Sequence, residues 1–364
     1  MFAFEPSEEQ KMLVDAISRY ALADLRAKAH DADEQSQFPP NVIEKGWELG
    51  YLQASIPETY GGFGERSAVT GVLAAETMAW GDLAGTLAVM SPGLFATPVL
   101  LAGSEAQKGA YLPEVIEAEW QAYTAALIEP YYDFDPNALR CTAAAENGSY
   151  VLNGPKGYVP FAPEARQTLV YARLGETTQG FIVPAGTPGL EVGEREKLLG
   201  IGALPTYKLN LKDVRIPREN RLGGEQGHDF SPVLASLHVA LAAMAVGLSR
   251  AALEYACDYA RDRDVFGVKV AQKQAIAFMI AEMATEIEAM RLLTWEAAWM
   301  LDRGMPEAIK HAYLAHTGAT DMTMMVTDRA VQILGGHGYM REHPVELWMR
   351  NGRGISMLTG LAIV

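Results

Sequence analysis

The stretch that most constrains the fold lies near the end of the chain and reads Gln332-Ile333-Leu334-Gly335-Gly336-His337-Gly338-Tyr339. It closes a helical apolar pattern over residues 306–333, and glycine is the residue that most often ends a helix. Gly335 alone is explained as a helix stop. Three glycines with Gln332 indicate more, because glycine lets a backbone approach a ligand closely and an amide both donates and accepts hydrogen bonds. The stretch therefore predicts a helix end that contacts a ligand.

A second short motif stands earlier in the chain and reads Arg263-Asp264-Val265-Phe266-Gly267. It follows a long helical pattern that ends near Tyr259, and Phe266 with Gly267 predicts a turn. A guanidinium is a planar fork of donors that suits a pyrophosphate and stays charged at any working pH. The alternative is a surface arginine paired with Asp262 or Asp264, which would be favoured if this motif stood alone.

The chain changes its residue pattern twice. Residues 7–120 carry apolar side chains at helical spacing, interrupted by a turn rich in Pro and Gly at 57–64. Residues 123–227 form short runs of β-branched and aromatic residues, which are typical of antiparallel strands. Helical periodicity returns over 234–261, 271–302, 306–333 and 344–350. We predict an α+β multidomain protein with an N-terminal helical domain (1–122), an antiparallel, β-barrel-like middle domain (123–227) and a C-terminal four-helix bundle (228–364).

Charge and cysteine content limit the partners and the compartment. The net charge of -15 argues against nucleic acid and anionic membranes, because phosphate affinity comes from clustered Lys and Arg. Residues 1–6 lack the basic start of a signal peptide, and we expect that no apolar run reaches membrane-span length. Residues 239–248 predict a buried helix. Only Cys141 and Cys257 are present, too few for a disulfide framework, so we expect core thiols in a reducing cytoplasm.

Four segments, in this order, resemble those of the acyl-CoA dehydrogenases over nearly the whole chain: residues 56–62, 152–157, 263–267 and 332–339. The resemblance implies the helix–sheet–helix fold of that family and an FAD cofactor. It also implies an acyl-CoA substrate and an electron-transfer flavoprotein as redox partner.

The resemblance further assigns residues to an FAD that belongs to a neighbouring subunit. Arg263 and Phe266 are implied to contact its pyrophosphate and adenosine. The glycine stretch is implied to meet the adenosine half, through Gln332, Gly335 and Gly336. Gln274 matches a similar helix residue of the family, and an exposed helix glutamine is nearly as good an interpretation.

The side that should hold the flavin ring departs from the family. The family pattern places hydroxyl groups where this chain has Ile128 and Phe134, neither of which can donate a hydrogen bond from its side chain. A threonine that normally meets the flavin edge corresponds to Pro160, which has neither a hydroxyl nor an N–H. The resemblance therefore implies that this subunit holds its own flavin ring poorly.

The catalytic carboxylate is also missing from its usual place. Family members remove the α-proton of the substrate with a glutamate, and that position is Thr359 here. The alternative position of some members is Leu237, and the neighbouring family arginine is His238. Threonine and leucine cannot act as a base at neutral pH, so no catalytic residue is assigned. His238 lies on an apolar helical face and is predicted to be a core histidine.

Three interpretations of function follow. The first is a non-catalytic subunit of a two-gene, α2β2 acyl-CoA dehydrogenase, a type known for bulky steroid-like thioesters, because residues that reach a neighbour's FAD are kept while residues of its own ring site are lost. The second is a self-sufficient homotetramer that uses another base, Asp133 or Asp135. The third is a flavin-free binding or scaffolding protein with the same fold.

Overall fold

The computed structural model describes residues 5–364, and its elements follow the predicted order of helices, sheet and helices. The prediction that the chain opens without a signal peptide falls partly on residues 1–4, which lie outside the described part. The N-terminal helices are α1 (Glu8–Tyr20), α2 (Ala27–Gln35), α3 (Pro40–Trp47), α4 (Ala68–Gly81), α5 (Leu83–Met90), α6 (Gly93–Ala102) and α7 (Glu105–Val115). A π-helical turn, Ala21–Arg26, joins α1 to α2.

Local chemistry explains where these helices begin and where they break. Gln10 donates its backbone N–H to Ser7 Oγ at 3.2 Å, and Ser7 returns the bond to Gln10 Oε1 at 2.9 Å, a reciprocal cap for α1. The predicted turn at 57–64 is present as a 3-10 turn, Glu58–Tyr60, followed by glycines. A Cβ on Gly62 would lie 1.9 Å from the Ile56 carbonyl oxygen, so only glycine fits there.

The middle of the chain forms, within the described residues, one seven-stranded sheet in the order β1-β4-β2-β3-β7-β6, with β5 paired to β4. The strands are β1 (Thr124–Ala126), β2 (Thr142–Glu146), β3 (Ser149–Pro160), β4 (Gln167–Leu174), β5 (Thr177–Pro184), β6 (Leu190–Arg195) and β7 (Thr206–Pro217). The prediction of an antiparallel domain is wrong for two pairings, because β4 runs parallel to β1 and to β2. Two strands joined directly by a short turn pair antiparallel. Strands β1 and β4 are separated in the sequence by the β2–β3 hairpin, so no turn joins them and a parallel pairing is possible.

A buried ion pair joins β3 to the segment after β1, which leads toward the flavin-ring region. Lys156 Nζ lies 3.0 Å from Glu129 Oε1 and donates to the Leu127 carbonyl at 3.1 Å. The two side chains are 0% and 2% exposed. Glu129 also accepts the backbone N–H groups of Arg140 and Cys141, each at 2.8 Å. Because all these groups are satisfied by one another, the segment around Ile128 is held rigidly.

The C-terminal helices are α8 (Ser231–Asp262), α9 (Gln274–Asp302), α10 (Ala308–Leu334) and α11 (Val345–Gly354). A short hairpin of β8 (Asp264–Val265) and β9 (Val268–Lys269) separates α8 from α9. Helix α8 packs tightly against α4, since a Cβ on Gly247 would lie 2.0 Å from the Glu76 carbonyl oxygen. The central helix therefore connects the N-terminal and C-terminal helices.

Helix α8 corrects one expectation from the sequence. It is long and apolar enough to cross a membrane, although no run of that kind was expected. Its most apolar window is 89% buried inside the protein, where α4, α9 and α10 pack around it. The prediction of a buried helix over 239–248 is confirmed, and α8 is the core helix of the bundle.

Candidate cofactor and substrate sites

Arg263 stands at the end of α8, where the hairpin anchors its backbone. Its N–H donates to the Tyr259 carbonyl at 2.9 Å, and its own carbonyl accepts from Val270 at 2.9 Å. The predicted turn is confirmed by positive φ angles of 55° at Phe266 and 79° at Gly267. The Phe266 side chain is 93% exposed. A guanidinium and an aromatic ring are thus presented together on the outer surface.

The guanidinium of Arg263 makes no ion pair or hydrogen bond to any residue in 5–364. Asp264, one of its two suggested partners, binds Lys269 Nζ at 2.8 Å instead. The same lysine donates to the backbone carbonyl of Asp262 at 2.8 Å. The alternative interpretation, a surface arginine paired with a neighbouring aspartate, therefore does not describe this structure. Arg263 keeps its donors available for an anion.

The glycine stretch lies at the same end of the bundle. Helix α10 ends at Leu334, and Gly335 has a φ of 58°. A Cβ added to Gly335 or Gly336 would meet no described atom within 4 Å, whereas one on Gly338 would lie 2.4 Å from the Val331 carbonyl oxygen. Gly338 is therefore required by packing inside the chain. Gly335 and Gly336 leave open space toward the outside.

A side-chain contact connects these motifs. The Tyr259 hydroxyl lies 2.8 Å from His337 Nδ1, which ties the glycine stretch to the last turn of α8. Gln274 is exposed and is the first residue of α9. It comes shortly after Val270, whose backbone N–H donates to the Arg263 carbonyl. Gln332 is exposed on the last turn of α10. The structure thus brings the residues predicted from both motifs to one exposed corner, although their contact with FAD stays a prediction.

The region predicted for the flavin ring differs from that corner. Ile128 is 4% exposed, and Pro160 is also buried, so their side chains pack in the interior. Phe134 borders a cavity of about 390 Å³ with Tyr158 and Glu196. Tyr158 has a φ of 54° and donates its N–H to Glu196 Oε2 at 2.7 Å, and burial raises the pKa of Glu196. None of the three side chains at 128, 134 and 160 supplies a donor, so the ring half of FAD does not fit as the family pattern requires.

A larger cleft of about 740 Å³ lies between the segment from Phe134 to Asn137 and helices α8 and α10. Thr359, the position of the missing glutamate, lines it, while Leu237 is buried in the core. The next residue, His238, does line the cleft. The two aspartates predicted as substitute bases lie in different surroundings. Asp135 borders the cleft, whereas Asp133 is exposed and forms an ion pair with Arg140 at 2.5 Å.

The floor of this cleft holds two stacked imidazoles. The rings of His238 and His316 lie 4.9 Å apart at an interplanar angle of 10°, and each residue is 8% exposed. Thr359 Oγ1 is 3.4 Å from His316 Nε2. Burial lowers the pKa of both histidines to about 4, so both are neutral at pH 7.

Sequence reasoning placed His238 in the core and did not single out His316. The signal that could have found this site is the recurrence of polar side chains on one face of helix α10. Besides His316, six residues of α10 line the cleft and recur at spacings of three and four, so they share one helix face: Ile309, Lys310, Tyr313, Thr317, Thr320 and Asp321.

Comparison with known proteins identifies the class. Residues 7–119, 124–214 and 233–362 match the acyl-CoA dehydrogenase N-terminal, middle and C-terminal domains. The chain belongs to the acyl-CoA dehydrogenase family. The fold predicted from the sequence is thereby confirmed.

Individual relatives match over almost their full length. The chain is 34% identical to cyclohex-1-ene-1-carbonyl-CoA dehydrogenase of Syntrophus aciditrophicus, covering 98% of this chain and 87% of that protein. It is 33% identical to the caffeyl-CoA reductase–Etf complex subunit CarC of Acetobacterium woodii, covering 98% and 96%. The solved structure of butyryl-CoA dehydrogenase from Megasphaera elsdenii superposes with a TM-score of 0.89 at 29% identity, covering 99% and 96% of the two chains.

Proposed function

We propose that this chain is the subunit of an FAD-dependent acyl-CoA dehydrogenase that completes the cofactor site of a neighbouring subunit. The observation that carries the proposal is the exposed guanidinium of Arg263, which has no partner within residues 5–364, near the exposed Phe266 and at the same end of the bundle as Gly335. An exposed arginine that pairs with none of the described residues is suited to a pyrophosphate supplied from outside the chain.

The contrast between the two FAD regions supports an auxiliary role. At the exposed corner, donors and open backbone are present. At the ring region, Ile128 and Pro160 are buried and offer no donor. The usual carboxylate position, Thr359, carries no titratable group in the neutral range. A subunit that contributes to only one half of a shared FAD needs the donors and open backbone of the exposed corner. It does not need the flavin-ring donors or the catalytic carboxylate.

FAD, when bound in the complex, accepts the hydride of the dehydrogenation. The residues of this chain bind and orient it: Arg263 neutralises pyrophosphate charge, Phe266 offers a ring face to the adenosine, and Gln332 hydrogen-bonds polar groups of the adenosine half. Gly335 and Gly336 allow the backbone to approach. Gln274 completes this surface from the start of α9.

The partners follow from the same proposal. A second acyl-CoA dehydrogenase subunit would form an α2β2 assembly with this chain and carry the flavin ring and the base. The substrate is an acyl-CoA thioester, and electrons leave to an electron-transfer flavoprotein, in line with the name of the relative from Acetobacterium woodii.

The experiment compares flavin content with and without the partner. The chain is expressed alone and together with a second acyl-CoA dehydrogenase of the same organism as candidate partner, and FAD per chain is measured after gel filtration by absorbance at the flavin band. We expect little FAD on the chain alone and one FAD per mixed pair. Stoichiometric FAD on the chain alone would contradict the proposal.

A second candidate function is a self-sufficient homo-oligomeric flavoenzyme with an unusual base. The position of Asp135 on the wall of the large cleft is the observation that favours it. Stoichiometric FAD on the isolated chain, together with acyl-CoA oxidation that is lost in Asp135→Asn, would establish this alternative. A chain that binds no flavin either alone or with its partner would instead be a binding or scaffold protein.

A further inference from the structure

We propose that the large cleft binds an uncharged organic molecule that carries a hydroxyl group on an apolar body, and that His238 recognises the hydroxyl. The molecule is held and not converted, so no bond of the ligand breaks in the cleft. Such a site goes beyond the shared-FAD role, because binding of this kind requires neither FAD nor a second subunit.

The His238 ring has hydrogen-bonding atoms that the protein leaves unused. The residue lines the cleft and is only 8% exposed, and neither ring nitrogen hydrogen-bonds to another residue in the described range 5–364. Neither nitrogen is among the completely buried polar atoms that lack a partner, so both keep some open surface. Polar groups in such surroundings normally have a partner, and a ligand in the cleft can supply it.

The neutral state of this ring decides which group it can bind. Burial lowers the pKa of His238 to about 4, and the nearby His316 acts in the same direction, so the imidazole is uncharged at pH 7. A neutral imidazole has one N–H donor and one acceptor nitrogen. A hydroxyl group both donates and accepts, so it can pair with either nitrogen. A carboxylate has no donor, and a neutral ring gives it no opposite charge.

Packing holds the ring in one orientation. His316 stacks on it with 4.9 Å between the ring centroids and 10° between the planes, and the Tyr313 ring meets it edge-on at 5.8 Å. His316 Nε2 in turn lies 3.4 Å from Thr359 Oγ1. Two aromatic neighbours at these distances fix the plane of His238, and therefore the directions in which a ligand hydroxyl can meet its nitrogens.

The rest of the cleft suits an apolar body. Five apolar residues form much of its wall: Phe134, Leu234, Ala235, Pro306 and Ile309. The charged residues that line it are Asp135, Lys310 and Asp321, and all three are exposed. A body without charge loses no strong hydration when it enters such a cleft, whereas a charged body does. The volume of about 740 Å³ has room for two fused rings.

The test compares two probes of the same shape. 2-Naphthol and 2-methylnaphthalene differ by a hydroxyl in place of a methyl group, and both are uncharged at pH 7. The full-length chain, without added FAD, is dialysed to equilibrium against each probe at pH 7, and the bound probe is measured by chromatography. We expect 2-naphthol to bind about tenfold tighter, because a methyl group leaves the imidazole nitrogen that faces it without a partner.

One substitution at two positions locates the binding site. His238→Phe keeps an aromatic ring against His316 and removes both nitrogens, so the preference for 2-naphthol should fall to within about twofold. His311→Phe makes the same change on α10 at a residue that does not line the cleft, and it should leave the preference unchanged.

Circular dichroism checks the folding of each variant, and His238→Leu replaces His238→Phe if the latter does not fold. Three results would overturn the inference: no saturable binding or equal affinity for the two probes in the wild-type chain, a full preference in a folded His238 variant without ring nitrogens, or an equal loss of preference in His311→Phe. None of these results changes the flavin content of the mixed complex, which tests the shared-FAD role separately.

Discussion

The hydroxyl of Tyr259 and Nδ1 of His337 are 2.8 Å apart, and this hydrogen bond joins the end of α8 to the glycine stretch after α10. The bond brings together two motifs that are far apart in the sequence. Arg263 lies one turn beyond Tyr259, and Gly335 lies two residues before His337, so the bond places both motifs at the same end of the bundle. The predicted FAD corner therefore depends on the contact between Tyr259 and His337, although neither residue is itself predicted to contact FAD.

Removing that hydrogen bond should loosen the corner. Tyr259→Phe keeps the ring and loses about 0.5–1.5 kcal/mol of folding free energy, measured by urea unfolding. The mixed complex should also retain less FAD after gel filtration. The matched control is Tyr255→Phe, which removes a similar bond to His343 at 2.7 Å. It should lower stability by a similar amount with a smaller loss of FAD. Equal FAD loss in both variants would argue against a special role for Tyr259.

Arg263→Ala should weaken FAD binding in the mixed complex without changing the stability of the isolated chain. The guanidinium has no partner within residues 5–364, so folding loses nothing when it is removed. A charge-assisted contact to pyrophosphate contributes about 1.5–3 kcal/mol, so the FAD dissociation constant should rise about tenfold or more. Arg261→Ala is the control, because Arg261 is exposed and pairs with Asp258. Unchanged FAD affinity in Arg263→Ala would count against the shared site.

Lys156→Met should be strongly destabilising. It leaves Glu129 buried without its cation, and breaking a buried pair from one side costs about 3–5 kcal/mol. Lys212→Met breaks an exposed pair with Glu191 and should cost less than about 1 kcal/mol. The free energy of unfolding in urea is the measurement. Similar losses in the two variants would show that the buried pair is no more important than a surface one.

Stability should fall as the pH is lowered from about 6.5 toward 4. Burial lowers the pKa of His238, His316 and His228 to about 4, against an ordinary value of 6.5. Between these values the unfolded chain binds protons that the folded chain does not, so stability rises with pH across this window and is complete above it. His316→Phe should flatten the slope, and the remaining histidines should keep part of it. An unchanged slope would show that His316 is not buried as a neutral ring.

Thr359→Glu should not turn the isolated chain into an acyl-CoA dehydrogenase. The new carboxylate would meet His316 Nε2, raise the pKa of that histidine and supply a base. The hydride acceptor would still be missing, because the side chains at 128, 134 and 160 offer no donor to a flavin ring. We expect no reduction of an artificial electron acceptor with butyryl-CoA. Clear turnover would show that the ring site holds flavin and would contradict the auxiliary role.

Local patterns in the sequence determined the order of the elements and the candidate corner. The spacing of apolar residues predicted the helices on either side of the sheet, because side chains that share a face recur every three or four residues. The glycine and arginine motifs were visible for a similar reason, since turns and helix ends depend on a few neighbouring residues. The loss of hydroxyls at Ile128, Phe134 and Pro160 is also a property of the sequence alone.

Contacts between distant segments were decided only by the tertiary structure. The parallel pairing of β4 with β1 depends on how the chain crosses the sheet. Among residues 5–364 Arg263 has no ion-pair partner, because Lys269, across the hairpin, forms the ion pair with Asp264. His238 and His316 stack because α8 and α10 pack side by side in the bundle. Each of these contacts depends on which surfaces meet after folding. Local periodicity determines the face of the helix or strand on which a residue lies, but not which residue packs against it.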